Sequence, residues 1–186
     1  MKTKNVYYPE LKSPILRLNK IYASQIHHFE LDTKTEWINE ILRPHSLASE
    51  EHPSTFKVQF NLRRLEKEDL GDPVAIEGEL HAVFWTECIR CLTPVQQVIE
   101  ADINSAFIPA DKESDPEIED QETLYADESE LDIYLFNGQD INIKELFDEI
   151  IQIHIDPFPL HAEDCQGLCQ FCGVDLNHEK CHCPAK

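Results

Sequence analysis

Glycine is scarce in this chain: five residues in 186. A loop that cradles phosphate needs several glycines within a few positions, and no such cluster occurs. Basic residues are also few, 16 against 36 aspartates and glutamates, for a net charge of −20. So acidic a chain repels a phosphate backbone at long range, which argues against a broad electrostatic nucleic-acid footprint and favours a basic protein partner, or plain solubility. No apolar run approaches the roughly 18–20 residues of a membrane span, so no membrane partner is expected. The opening MKTKNVYY lacks the apolar stretch of a secretory signal, and the expected location is the cytoplasm. No serine or cysteine has a recognisable base beside it, and no small-molecule substrate is expected.

Cysteine is what the chain does have. There are seven, an odd number without an export signal, and four lie beyond residue 168. Reduced, metal-binding cysteines explain this better than a disulfide framework.

An apolar fraction of 41% in a chain of this length supports one ordinary domain with a real core. Residues 1–20 show no strong period. TKTEWINEILRP carries an apolar stripe of Trp37, Ile38, Ile41 and Leu42 and predicts a short helix ending before Pro44. STFKVQFNLRRLE alternates Phe56, Val58, Phe60 and Leu62 with polar residues, a half-buried strand. DPVAIEGELHAVFWTEC and PVQQVIEADINSAFI are extended runs on either side of CIRCLTP, residues 88–94. Together they predict a β-hairpin with a CxxC turn at its tip and Pro94 at a strand start. Residues 111–132 hold eleven acidic residues and one lysine, which predicts a mobile acidic loop over about 111–130. LDIYLF reads as a strand with a turn at Asn137-Gly138. NIKELFDEIIQIH is the best helix, with Asn142 and Glu145 as a capping box and Ile143, Leu146, Phe147, Ile150 and Ile151 on one face. DPFPL ends it.

A single CxxC supplies half of a tetrahedral zinc site. Cys169-x2-Cys172 and Cys181-x-Cys183 form a compact four-thiolate set, with eight intervening residues for the loop and Gly173 at the turn. That leaves Cys165 without a role and Cys88 and Cys91 two ligands short. His161, four positions before Cys165, supplies the last one. Two structural zinc sites follow: Cys88, Cys91, His161 and Cys165 in the first; Cys169, Cys172, Cys181 and Cys183 in the second. His178 and His182 are alternative ligands ranked below the thiolates. Arg90 stands between the first two thiolates, where it can offset their charge by donating towards a sulfur or a carboxylate, or touch RNA phosphate.

Two competing patterns are weaker. HAE at 161–163 before CQFC resembles the zinc-deaminase signature, but only five residues separate Glu163 from Cys169, and Pro157 and Pro159 argue against a helix under His161. A thioredoxin-like CxxC opens a helix, whereas strands flank Cys88 and Cys91 on both sides.

CIRCLTPV after a strand, the helix with DPFPL, EDCQGLCQFCGVDLN and CHC closely resemble the YceD family of large ribosomal RNA subunit accumulation proteins. The likeness runs from about residue 15 to the end and is most specific in the block Gly167–Asn177. Many members carry a cysteine where this chain has His161, a swap that keeps a zinc-competent ligand. The resemblance implies a non-enzymatic, cytoplasmic role in accumulation or processing of large-subunit ribosomal RNA. The expected partners are basic ribosomal protein and/or precursor RNA, with Arg63, Arg64 and Arg90 as candidate local contacts. A structural zinc module that recruits an unrelated protein is the alternative; a zinc-dependent hydrolase or deaminase ranks below it.

The expected architecture is α+β. An antiparallel β-sheet, partly open and barrel-like, carries a few packed helices in a core domain over 1–160. A cysteine-rich zinc-knuckle tail over 161–186 is stapled to that core.

Overall fold

A computed structural model describes residues 4–8, 10–47, 49–113, 121–126 and 128–183. Along these residues the chain forms strands β1 (Lys4–Tyr8), β2 (Ile15–Arg17) and β3 (Gln25–Asp32), helix α1 (Glu36–Leu42), and strands β4 (Thr55–Arg64), β5 (Val74–Glu87) and β6 (Pro94–Pro109). Strands β7 (Thr123–Ala126), β8 (Ser129–Phe136) and β9 (Asp140–Asn142) and helix α2 (Ile143–His154) follow.

Seven strands form one sheet in the order β1-β3-β4-β5-β6-β8-β7, and β2 pairs with β9 in a separate ribbon. The centre, β3 to β6, is antiparallel as the alternating patterns predict. The flanks correct the all-antiparallel expectation, because β1 runs parallel to β3 and β8 parallel to β6. Parallel neighbours need a crossover connection. Between β1 and β3 the chain leaves the sheet to form β2; between β6 and β8 it passes through β7, so the sheet is mixed. Its edges are β1 and β7, and it does not close into a barrel.

One face of the sheet carries the main core. The alternating Phe56, Val58, Phe60 and Leu62 of β4 are buried against both helices, together with Ile76, Leu80 and Phe84 of β5. Phe147 of α2 sits among three rings, 6.2 Å from Trp37, 6.3 Å from Phe56 and 5.6 Å from Phe60. Asn142 caps α2 by accepting from the Lys144 N–H at 3.2 Å. The expected capping box is modified: Glu145 accepts from the Asn142 side-chain amide at 2.7 Å, with both groups on side chains.

On the opposite, solvent-facing side, cross-strand register lines up Glu30, Gln59, Glu79 and Asp102 in one row over four strands. All four are exposed, and Glu100 and Lys57 flank them.

A second, smaller core on this side corrects the acidic-loop expectation. Leu124 of β7 and Leu131 of β8 are buried with Leu65, Leu70, Ala75, Ala106 and Ile108. Two apolar side chains are enough to hold part of the acidic stretch as paired strands, because their register places both on the covered face. Residues 114–120 and 127 of that stretch lie outside the described residues.

Candidate metal centres

The β5–β6 hairpin is 14 and 16 residues long and pairs to its end at Glu87 and Pro94. The turn between them folds back sharply, with Cys88 N–H donating to Thr93 O at 2.9 Å and Leu92 N–H to Cys88 O at 2.9 Å. Leu92 takes the left-handed conformation this requires, with φ of 65°. Both cysteine side chains are thereby turned inward and buried.

The segment leaving α2 comes to this tip rather than to solvent. Ile89 N–H donates to Pro159 O at 3.0 Å, and Leu168 N–H to Arg90 O at 2.9 Å, so residues 159–168 lie along the CxxC turn. The Arg90 guanidinium donates to Cys165 O at 2.9 Å. Gly167 lets the two backbones meet: its φ is +74°, and a Cβ there would lie 3.1 Å from Arg90 O.

These contacts bring Cys88, Cys91, His161 and Cys165 together with their ligand atoms within 4.8 Å of one another. Cys88 Sγ and Cys165 Sγ are 3.8 Å apart, and Cys91 Sγ is 3.1 Å from His161 Nδ1. Zinc–sulfur bonds of about 2.3 Å give a tetrahedral edge of about 3.8 Å, so the donor set fits zinc. The three cysteines pack against Val95, Leu160 and Leu168, whereas His161 is exposed. Burial opposes ionisation of Cys88, but hydrogen bonding from the His161 side chain and from backbone groups of His161, Arg90 and Cys91 outweighs it and lowers its pKa to about 5. Burial pushes the Cys165 thiol up.

A second cluster follows within the tail. Cys169 N–H donates to Val174 O and Gly173 N–H to Cys169 O, both at 2.8 Å, closing a knuckle in which Gly173 has φ of +73°. Cys169, Cys172, Cys181 and Cys183 gather with all sulfurs within 4.8 Å. Cys181 Sγ lies 3.2 Å from Cys169 Sγ and 3.8 Å from Cys172 Sγ. Backbone N–H groups of Cys172 and Phe171 lower the Cys169 pKa to about 6, while neighbouring Cys181 and Cys172 push Cys183 up to about 12. This cluster is the more open one, with Cys172 exposed.

His178 and His182 belong to neither cluster; His178 stands 3.8 Å from Asp175 on the surface. His161 sits with Cys88 and not with Cys169 and Cys172, which removes the grouping a deaminase signature requires. Asn177 ends the GLCxxCGxxLN block, where its residue type alone assigns it no role. Its amide donates to Cys165 Sγ at 3.6 Å and its carbonyl accepts from Gln166 N–H at 2.7 Å, tying the knuckle to the first cluster. The other two candidate contact arginines, Arg63 and Arg64, are bonded within the fold. Arg63 donates to Glu77 at 3.0 Å; Arg64 donates to Leu18 O at 3.0 Å and lies 3.9 Å from Asp72.

Among the described residues no helix is long and apolar enough to cross a membrane. Residues 76–186 match the family model described as large ribosomal RNA subunit accumulation protein YceD. Uncharacterized proteins of Mycobacterium tuberculosis and Mycobacterium bovis are 27% identical over 119 residues, 63% of this chain and 52% of theirs. One from Mycobacterium leprae is 26% identical over 118 residues, 63% of this chain and 50% of its own. The chain thus spans about half the length of the curated relatives it matches. No solved structure matches it. The matched stretch takes in most of β5, the hairpin tip and all eight side chains of the two clusters, and the chain belongs to the YceD family.

Proposed function

We propose that the protein is a non-enzymatic, cytoplasmic ribosome-biogenesis factor that supports accumulation or processing of large-subunit ribosomal RNA. Two structural zinc ions hold its shape, one on Cys88, Cys91, His161 and Cys165 and one on Cys169, Cys172, Cys181 and Cys183. The observation that carries this reading is that the first cluster lies inside the family-matched stretch and joins the β5–β6 tip to the segment after α2. Each cluster offers four protein ligands, the full complement of a structural zinc, where a catalytic zinc keeps one position for water or substrate. Such ions supply cross-linking, and the 161–186 tail becomes a staple on the 1–160 core.

The partner reading rests on charge. The exposed row of Glu30, Glu79 and Asp102 presents carboxylates across the open sheet face, which suits a basic ribosomal protein. RNA is touched locally, first through exposed Arg90; half-buried Arg63 and Arg64, already bonded to Glu77 and to Leu18 O, rank below it.

The test is genetic. Deletion in the native host is expected to lower large-subunit relative to small-subunit ribosomal RNA, with rescue by the wild-type chain and not by Cys88→Ser/Cys181→Ser. An unchanged ratio rules the reading out. Co-purification with an unrelated protein and no ribosomal precursor favours a recruiting zinc module instead.

A further inference from the structure

The part of the chain before the family-matched stretch builds a cavity that the clusters do not use. It has a volume of about 740 Å³ and lies between the N-terminal segment and strands β3 and β4. Of its lining residues only Asp140 falls within residues 76–186. The size is that of a small-molecule site.

Its wall has two chemistries. Leu16, Ile21, Phe29 and Leu62 give it an apolar side that is continuous with the main core. Lys12, Arg17 and Lys20 stand exposed around it, with Asp140 as the single acidic residue of the lining. In a chain with 36 acidic and 16 basic residues, this is a local reversal of sign. Asp140 reaches Arg17 at 3.9 Å with both side chains largely in solvent, which leaves the lysines to set the potential.

His27 lines the same cavity and is 97% buried, being 3% exposed. Its Nδ1 shares a hydrogen bond with the Tyr8 hydroxyl at 3.2 Å, but its Nε2 is buried with no hydrogen-bond partner among the described residues. Buried polar atoms are almost always satisfied, so an unpartnered one on a residue of the cavity lining gives a ligand's polar group a partner once the wall shifts to admit it. The apolar wall, the cationic rim and this nitrogen call for one kind of occupant.

We propose that this cavity binds a small amphipathic anion, an apolar body carrying a carboxylate or similar head, with the body against Leu16, Ile21, Phe29 and Leu62 and the head among Lys12, Lys20 and His27. The molecule is a bound ligand, not a substrate, and its site shares no residue with the metal clusters.

Decanoate is the probe, titrated calorimetrically into the full chain at low salt, with 1-decanol as its uncharged control. The expected result is saturable binding of a single decanoate, with 1-decanol about tenfold or more weaker. Lys12→Glu/Lys20→Glu changes only exposed residues and is expected to weaken decanoate about tenfold with an unchanged circular dichroism spectrum. His27→Phe keeps an aromatic ring, removes Nε2 and is expected to weaken it about threefold. Absence of decanoate binding, equal affinity for decanol, or full affinity in the double lysine variant overturns the proposal. The alcohol comparison uses the wild-type chain and stands whether or not a variant folds. Co-sedimentation with phosphatidylglycerol vesicles in place of free decanoate binding overturns it too, since the cavity takes its ligand as a single molecule.

Discussion

Arg90 and Cys165 hold one another through a side chain on one strand of contact and a main chain on the other. The guanidinium donates to Cys165 O at 2.9 Å, while Arg90 O accepts from Leu168 N–H at 2.9 Å. The guanidinium thus acts on the first cluster through the backbone that carries a ligand, while the Arg90 backbone hydrogen-bonds the Cys88 sulfur. Arg90→Met, which keeps much of the length without the donors, is expected to weaken metal retention about tenfold, the usual effect of losing a group that orients a ligand. Competition with a chelator of known affinity measures it; retention equal to wild type would show that the Arg90 guanidinium is dispensable.

Metal content per chain is the direct measure of the cluster assignment. Two zinc ions are expected in the wild-type protein and one in each of Cys88→Ser and Cys181→Ser. The stability cost differs between them, because Cys88 is fully buried in a cluster that joins distant segments whereas Cys181 is half-exposed within the tail. Cys88→Ser is expected to lower Tm by about 10 °C, as loss of a few kcal/mol does in a chain of this size, and Cys181→Ser by less. Unchanged zinc in Cys88→Ser refutes the first site.

Gly167 and Gly173 have nearly the same φ, +74° and +73°, but different surroundings. A Cβ at Gly173 meets nothing within 4 Å, so Gly173→Ala carries only the left-handed backbone cost of about 1–2 kcal/mol. At Gly167 the added carbon also presses on Arg90 O. Chemical denaturation is expected to rank Gly167→Ala as the more damaging, with zinc loss from the first cluster.

Burial, and secondarily the neighbouring His28, hold the His27 pKa below its ordinary 6.5. The unfolded chain therefore takes up this proton at a higher pH than the folded one. Stability from this source is complete above about pH 6.5 and declines as the pH falls below it. Urea midpoints between about pH 7 and 5 should drop less steeply in His27→Phe than in wild type. Parallel slopes would show that His27 is not responsible.

Leu131 is fully buried in the second core, where LDIYLF, which reads as a strand, begins beside the acidic stretch. Leu131→Ala is expected to cost about 2–5 kcal/mol and to expose the β7–β8 pair to limited proteolysis. A loss near zero would mean that this small core adds little.

The long central strands and α2 are legible in the sequence because each has one covered face and a clean period. Strands β1 and β3 are not. In β3 the buried positions are His27, Phe29 and Leu31, and a histidine at the first of them breaks the apolar alternation. Strand β1 buries no residue fully and is held by edge pairing. Parallel pairing at both flanks comes from where the chain crosses over, a property no residue pattern carries. At the clusters, ligand counting groups the eight side chains as the fold brings them together, since cysteines are few and closely spaced. The supporting contacts of Asn177 and Arg90 were out of reach, because they depend on backbone positions fixed only after the tail docks.

Cys88 and Cys165 are 77 residues apart along the chain. During synthesis the hairpin tip emerges long before its partners, and contacts of such separation form late. The two cysteines of CIRCLTP must therefore wait, exposed, until β7 to β9, α2 and the first part of the tail have been made. Closure of the first cluster is accordingly a sign that everything up to residue 165 has been made: a nascent or truncated product ending before residue 165 keeps two unmatched thiols at the end of its longest hairpin.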